Sequence, residues 1–155
     1  MIINIYSKGK YPADALSNFA PHTFDFDGFK GIPCMEAFLQ SLKFEDVDRQ
    51  REILYQPAIE ANLNGREQPW RDVLFWKGKP IKRRSKEYDR LIESAYDALF
   101  ENEGFRQALS ASKGKILLHT IGKARRSQTV LTWWELCNNL YRLRRKIDND
   151  EIKIR

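Results

Sequence analysis

A change of hydrophobic period near residue 34 constrains the fold of this chain more than any other feature. Residues 23–26 and 29–32 flank Asp27-Gly28, a pair that favours a tight turn, so we predict a β-hairpin there. From Cys34 to about Glu45 the apolar residues recur at the helical spacing i, i+3, i+4, i+7: Met35, Phe38, Leu39 and Leu42. A hairpin followed directly by an amphipathic helix predicts a fold of the α+β class.

Helix signals dominate the rest of the chain. One apolar stripe marks a helix over residues 85–100, formed by Tyr88, Leu91, Ile92, Ala95 and Leu99. Thr132 is predicted to open the last helix, because Thr132 and Glu135 have the spacing of a capping box. Shorter segments predict strands at 2–6 and 115–120 and helices at 49–55, 57–63 and 105–109. We therefore expect one helix-rich domain over residues 1–148 with a small N-terminal hairpin or sheet, and a charged, frayed tail at 149–155.

Composition excludes several classes of protein. The 155 residues are enough for one domain with a core of its own, and no apolar run has membrane-spanning length, so no membrane partner is expected. Cys34 and Cys137 are far apart and lack a metal-binding spacing, which predicts free thiols and a cytoplasmic location. His22 and His119 are equally isolated, so neither a metal nor another cofactor is expected.

The positive charge of the chain is concentrated in a few segments. The formal net charge is +6, and the basic residues cluster at 77–86, 123–126 and 142–146. Such clusters favour anionic partners such as nucleic acid, nucleotides or phosphosugars. The alternative for each cluster is a solvated surface that keeps the protein soluble.

The helix predicted from Cys34 carries the most informative polar pattern. Glu36, Gln40 and Lys43 recur at i, i+4, i+7, so they form a polar stripe beside the apolar face of this helix. At a glycosidic centre a carboxylate can offset oxocarbenium charge, an amide can hold a ribose hydroxyl, and an amine can act as acid or nucleophile. An exposed helix face with ordinary side-chain pairing is the alternative interpretation.

Other candidate residues have simpler explanations. Nucleotide-binding glycine loops and common hydrolase motifs are absent. The four tryptophans could stack on a nucleobase, although aromatic residues more often belong to a core: Trp70, Trp76, Trp133 and Trp134. Glu135 could be a catalytic carboxylate, but its place in the capping box accounts for it fully.

The segment 15–44 resembles the N-terminal signature of the NADAR, or YbiA-like, family. Leu16-Ser17-Asn18-Phe19 matches the first part of that signature, and Glu36, Gln40, Lys43 and Phe44 match the second. Trp76-Lys77-Gly78 and residues 84–88 resemble the middle segment of the family, and residues 139–144 its closing helix. The resemblance spans nearly the whole chain, but it is dense only in the N-terminal signature.

The resemblance implies N-glycosidic hydrolysis in a YbiA-like fold. Its substrates would be anionic ribosyl compounds, either ADP-ribose attached to guanine in nucleic acid or a ribosylamine phosphate of the riboflavin pathway. The catalytic residues would be Glu36, Lys43 and Glu135. The substrate-binding residues would be Ser17, Asn18, Phe19, Gln40, Trp76 and Arg84.

One departure from the family pattern bears on the third catalytic group. Many members carry an aspartate in a stretch S-P-x-D-x-x-W-G before the last helix, whereas this chain reads HTIGKARRSQTVLTWWE there. Either Glu135 replaces that aspartate or the chain belongs to a divergent subgroup. A non-catalytic module that binds ADP-ribose, nucleotides or nucleic acid is the competing function. The lack of aromatic residues within 77–86 counts against a base-stacking surface at that cluster.

Overall fold

The computed structural model describes residues 1–120 and 131–154, with side chains up to residue 150. The described residues form six strands and six helices in a mixed α+β fold, as predicted. The strands are β1 Ile2–Asn4, β2 Phe24–Phe26, β3 Phe29–Ile32, β4 Val73–Trp76, β5 Lys79–Lys82 and β6 Ile116–Leu118. The helices are α1 Met35–Ser41, α2 Val47–Leu54, α3 Ala58–Asn64, α4 Lys86–Leu99, α5 Glu103–Ala111 and α6 Trp133–Ile154. None of the described helices is long and apolar enough to cross a membrane.

The strands form three separate pairs. β2 and β3 are antiparallel around Asp27 and Gly28, whose φ values of 49° and 89° give the left-handed turn that the sequence predicts. β4 and β5 form a second hairpin with the same geometry at Lys77 and Gly78, at φ 52° and 81°. This second hairpin was not predicted, because residues 77–86 were interpreted only as a charged segment. β1 and β6 pair in parallel, with Ile2 opposite Ile116.

Helix α1 lies at the centre of the molecule. All seven of its residues are buried, and it packs against α2, α3 and β3. It ends at Ser41, not near Glu45 as predicted, because the backbone tightens into a 3-10 turn in which Lys43 N–H donates to Gln40 O at 3.2 Å. The inward faces of α4 and α6 complete the core around it. Glu36 and Gln40 thus lie on α1 itself, whereas Lys43 follows it in the turn.

Side-chain caps set the beginnings of the other main helices. Asp46, Ser85 and Asn102 each accept a backbone N–H in the first turn of α2, α4 and α5. The capping box of α6 is confirmed, since Glu135 N–H donates to Thr132 Oγ1 at 3.4 Å and Thr132 N–H donates to Glu135 Oε1 at 3.0 Å. Helix α6 continues to Ile154 and so includes most of the segment predicted as a tail. That this segment frays stays a prediction.

Gln50 on α2 joins the end of α1 to the β4–β5 hairpin. Its amide Nε2 donates to Ser41 O at 2.9 Å and to Phe75 O at 2.8 Å, and its Oε1 accepts from Lys77 N–H at 3.0 Å. The side chain is only 4% exposed, so water cannot replace these bonds.

We expect Gln50→Ala to lower the free energy of unfolding by about 2–4 kcal/mol, because it removes three hydrogen bonds of an almost fully buried side chain. Gln107→Ala on the exposed face of α5 is the matched control and should change stability by less than about 0.5 kcal/mol. Urea denaturation of both variants measures the difference. Equal stability of the two variants would show that Gln50 does not join these elements.

Candidate active site

Glu36 lies in the first turn of α1 with its carboxyl group inside the protein. Its backbone N–H donates to Asn18 O at 3.0 Å, and the residue is 9% exposed. Burial raises the pKa of this carboxyl to about 7, although the bond from Gln40 Nε2 at 3.2 Å and the charge of Lys43 act in the opposite direction. Near neutral pH the group can therefore exist as an acid or as a carboxylate.

Lys43 brings an amine to the same buried region. Its Nζ donates to Gly65 O at 3.0 Å and lies 4.0 Å from the centre of the Trp70 ring. Burial lowers the pKa of Lys43 to about 8, with Glu36 opposing this shift and the nearby charge of Arg66 adding to it. A fraction of the amine, about a tenth, is therefore uncharged at pH 7.

Burial raises the pKa of Glu36 and lowers that of Lys43, so the two values approach each other. The opposite charges of the two groups limit both shifts. An acid and an amine that both exchange protons near neutral pH are the combination that general acid–base and covalent catalysis need. The polar stripe predicted from helical spacing is therefore brought together, although Lys43 reaches it from the turn after α1.

Gln40 and Gly65 fit closely against each other beside this pair. A Cβ atom on Gly65 would collide with the Gln40 side-chain amide, so any larger residue there would displace Gln40. Gln40 Nε2 is bound to Glu36, while its Oε1 is buried without a hydrogen-bond partner among the described residues. Gln40 thus keeps one acceptor unused next to the pair.

The loop before β2 brings Asn18 to the N-terminal end of α1. Ser17 Oγ accepts from Phe19 N–H at 3.2 Å, which holds the loop in a turn, and Asn18 O accepts from Glu36 N–H. Tyr96 OH donates to Asn18 Oδ1 at 2.6 Å, so the Nδ2 end of this amide is left as a donor. Of the residues predicted to bind substrate, Asn18 therefore contacts Glu36 through the backbone, and Ser17 and Phe19 adjoin it in the loop. Their contact with substrate stays a prediction.

Sequence reasoning missed Tyr96 as a site residue. The ring is fully buried on α4, and burial together with the charges of Tyr88 and Glu36 raises its pKa, so the phenol stays protonated and can donate. Tyr96 follows Ile92 by four positions and precedes Leu99 by three, on the apolar stripe of α4. A tyrosine in such a stripe commonly turns its hydroxyl to a buried acceptor, and this was the available signal.

Glu135 is held in a separate cluster by Arg83. The Arg83 guanidinium donates to both carboxylate oxygens, at 2.7 and 3.3 Å, and Thr132 Oγ1 donates to Oε1 at 2.7 Å. Burial alone would raise the pKa of Glu135, but these hydrogen bonds outweigh it and hold the pKa below its usual value. The geometry supports a structural role for Glu135, and its predicted catalytic role stays a prediction.

Trp76 has a role in packing. Its indole Nε1 donates to Asp27 Oδ2 at 2.8 Å, and its ring lies 5.2–5.8 Å from three aromatic rings: Phe26, Phe29 and Phe38. The side chain joins the turns of the two hairpins and is 6% exposed. No broad face of the Trp76 ring is open to a ligand in this structure. Its contact with substrate therefore stays a prediction.

The basic segment 77–86 divides between outward and inward side chains. Lys82 and Arg84 are exposed beside a shallow cleft of about 370 Å³, whereas Arg83 between them is 2% exposed and lies 4.3 Å from the ring centre of Tyr88. Lys77 pairs with Asp27 at 3.2 Å. The second predicted cluster, residues 123–126, lies outside the described residues. Arg83 therefore cannot contribute to a surface for polyanions.

Substitutions of the neighbouring residues Arg83 and Arg84 test whether one side chain is buried and the other exposed. Arg83→Met should lower the free energy of unfolding by about 2–4 kcal/mol, because it leaves the Glu135 carboxylate largely buried without its cation. Arg84→Met on the exposed side should change it by less than about 0.5 kcal/mol. Chemical denaturation at pH 7 measures both values, and similar values for the two variants would contradict the buried position of Arg83.

The shifted pKa values also predict how stability depends on pH. The pKa of Glu36 is raised from 4.5 to about 7, so the folded state keeps this proton to higher pH. Stability therefore falls by about 3 kcal/mol as pH rises through that window. The pKa of Lys43 is lowered from 10.5 to about 8, so stability rises again between about pH 8 and pH 10.5. The contribution of Glu36 and Lys43 to the free energy of unfolding is therefore lowest between pH 7 and 8.

Urea denaturation from pH 4 to 10.5 tests this profile against two variants. Glu36→Gln should remove the falling limb and Lys43→Met the rising limb. Each variant should also enlarge the remaining limb, because the opposite charge that limits the pKa shift of the remaining group is lost. A wild-type profile that neither variant alters would show that the two groups titrate normally.

Comparison with known proteins agrees with the fold and with the N-terminal signature. Residues 10–145 match the family model described as bacteriophage protein GP30.3. The chain is 39% identical over 147 residues to an uncharacterized 17.1 kDa protein of the Gp30-rIII intergenic region of Enterobacteria phage T4, covering 92% of this chain and 96% of that protein. The NMR structure of YbiA from Escherichia coli superimposes with a TM-score of 0.65 at 23% identity, covering 98% of this chain and 88% of YbiA. The chain therefore belongs to the bacteriophage GP30.3 family, a NADAR-type family with a YbiA-like fold.

Proposed function

We propose that the protein is an N-glycosidase that hydrolyses the bond between ribose C1′ and a nitrogen atom in an anionic ribosyl substrate. The observation that carries this proposal is the buried pair of Glu36 and Lys43, whose pKa values lie at about 7 and about 8. Groups whose pKa values are shifted toward neutrality by burial cluster at catalytic sites, and general acid–base catalysis is most efficient with such groups.

The chemistry follows from the charges that develop at C1′. As the C1′–N bond breaks, positive charge collects on C1′ and O4′, and the Glu36 carboxylate stabilises it by about 3–4 kcal/mol. The Lys43 ammonium gives its proton to the departing nitrogen. A water oxygen then bonds to C1′ and gives a proton to the Glu36 carboxylate. The products are the ribosyl compound with a hydroxyl group on C1′ and the leaving group with a proton on its nitrogen.

Two amides next to Glu36 suit the hydroxyl groups of ribose. Asn18 keeps an Nδ2 donor, because Tyr96 occupies its Oδ1, and Gln40 keeps an Oε1 acceptor, because its Nε2 is bound to Glu36. A hydroxyl group both donates and accepts hydrogen bonds. One amide that presents a donor and another that presents an acceptor can therefore orient one or two ribose hydroxyls. These contacts would hold the sugar relative to the carboxylate, which is the requirement for reaction at C1′.

The anionic part of the substrate would bind through cations at the surface. Lys82 and Arg84 are exposed and adjacent, which supports either ADP-ribose on guanine of nucleic acid or a ribosylamine phosphate as substrate. Arg83 is excluded from this role, so the cluster is smaller than the sequence predicts. A cytoplasmic setting belongs to the same proposal, since Cys34 and Cys137 are buried free thiols.

Hydrolysis of ADP-ribosyl-guanosine, followed by release of guanosine, tests the proposal. Glu36→Gln should lower kcat by about 100-fold to 1000-fold, which corresponds to the loss of one charge-stabilising group. Glu101→Gln is the control, because this carboxylate is exposed in the loop between α4 and α5. Turnover of Glu36→Gln within tenfold of wild type would exclude Glu36 as the key carboxylate. Binding without any turnover by wild-type protein would instead support a binding module.

Borohydride added to the same reaction separates the two possible roles of Lys43. If the neutral amine attacks the C1′ aldehyde of ring-opened ribose, water leaves, an imine forms, and hydride converts it to a stable secondary amine. Mass spectrometry should then find an adduct in wild-type protein and none in Lys43→Arg. Normal turnover with no adduct would leave proton donation as the role of Lys43.

A further inference from the structure

The segment after α3, residues 65–70, contacts the Lys43 amine at both of its ends. Gly65 O accepts from Lys43 Nζ at 3.0 Å, and the centre of the Trp70 ring lies 4.0 Å from the same nitrogen. A carbonyl oxygen and the face of an indole are both electron-rich, so both stabilise the charged form of the amine. One face of the Trp70 ring is therefore occupied by Lys43.

This segment is attached to the rest of the protein at three points. Gly65 lies so close to α1 that a side chain there would displace the Gln40 amide. Glu67 is paired with Arg49 of α2, and the Trp70 side chain packs against the hydrophobic core. The carbonyl and the ring that contact the amine are thus held in place, whereas the lysine stem on its own is flexible.

Lys43 and Glu36 act on each other electrostatically without direct contact. Neither an ion pair nor a hydrogen bond joins them among the described residues, although each charge affects the pKa of the other group. An ammonium has three N–H donors, and Gly65 O takes one of those on Lys43. A separation between the two groups is what a substrate needs if the carboxylate and the amine are to reach opposite sides of one bond.

We propose that Trp70 is a positioning residue, whose ring holds the Lys43 amine apart from the Glu36 carboxylate so that the glycosidic bond can lie between them. The lysine side chain is long, and a carboxylate in the protein interior attracts it strongly. Without the ring, the amine moves into a direct ion pair with Glu36. The inference rests on the proposed glycosidase function, because it assigns the space between the two groups to the substrate.

Three further groups of the described chain are coupled electrostatically to this pair. Arg66 is a second cation near Lys43, and Cys34 and Tyr96 are coupled to Glu36. Burial raises the pKa of the Cys34 thiol to about 11 and the pKa of the Tyr96 phenol above its usual value, so both stay uncharged near pH 7. Lys43 is thus the group whose movement changes the charge next to Glu36.

A ¹³C NMR titration of the Glu36 carboxyl carbon tests the position of the amine without requiring turnover. Trp70→Leu keeps an apolar side chain but removes the ring face. It should lower the pKa of Glu36 by about one or more, the effect of an ammonium in contact with a carboxylate. Trp70→Phe keeps a ring face and should leave this pKa close to its wild-type value of about 7. In the Lys43→Met background, Trp70→Leu should not change it, because the ring acts through the amine.

Two further proteins make the test independent of folding. Trp133→Leu makes the same substitution at a partly buried tryptophan of α6 and should leave the pKa of Glu36 unchanged. Fluorinated tryptophan at position 70 alone keeps the shape of the side chain but weakens the attraction of the ring for a cation. It should therefore lower the pKa of Glu36, even if Trp70→Leu does not fold. An unchanged pKa in the fluorinated protein, or a fall in Trp70→Leu that persists in the Lys43→Met background, would overturn the proposal.

Turnover of ADP-ribosyl-guanosine separates failure of this inference from failure of the proposed function. Trp70→Leu should lower kcat by about tenfold or more with little change in KM, because the ring acts on Lys43 and not on the substrate. Trp70→Phe should restore most of the rate. A lowered Glu36 pKa in Trp70→Leu without turnover by wild-type protein would establish the position of the amine and reject the glycosidase. Turnover that depends on Glu36 but not on Trp70 would keep the glycosidase and reject the role of Trp70.

Discussion

The burial of a carboxyl group and an amine beside the central helix is the constraint on which the rest of the structure depends. Removing such groups from water is costly, and their mutual attraction offsets only part of the cost. Glu36 and Lys43 have pKa values shifted toward neutrality because desolvation remains the largest cause for both. A protein keeps this kind of destabilising pair where function requires it.

The surrounding elements hold the pair in a defined geometry. Helix α1 is buried on all sides, so Glu36 cannot rotate into solvent without disrupting the core. The loop after α3 binds Lys43 through a carbonyl, and its glycine permits the close approach to Gln40. Tyr96 fixes the orientation of the Asn18 amide from α4. Rigid support of this kind is what a reacting group needs if it is to meet its substrate in one orientation.

Local spacing was sufficient to predict the hairpin around Asp27-Gly28 and the shared face of Glu36 and Gln40, since both depend on residues close in sequence. It could not show that Lys43 leaves α1 in a tight turn and meets a carbonyl from a loop 22 residues later. Nor did the positive charge of residues 77–86 reveal that Arg83 points inward to Glu135, a pairing across 52 residues. Such contacts are set by tertiary packing, which sequence periodicity does not report.

The central claim is that burial raises the pKa of Glu36 to near neutrality, while the charge of Lys43 limits the rise. A ¹³C NMR titration of the glutamate carboxyl carbons, with Glu36 assigned by its absence from Glu36→Gln, measures this pKa directly. The account predicts a value of about 7 in wild-type protein. It also predicts a still higher value in Lys43→Met, because the ammonium attracts the carboxylate. A midpoint between 4 and 5 in both proteins, close to the ordinary value for glutamate of about 4.3, would contradict it.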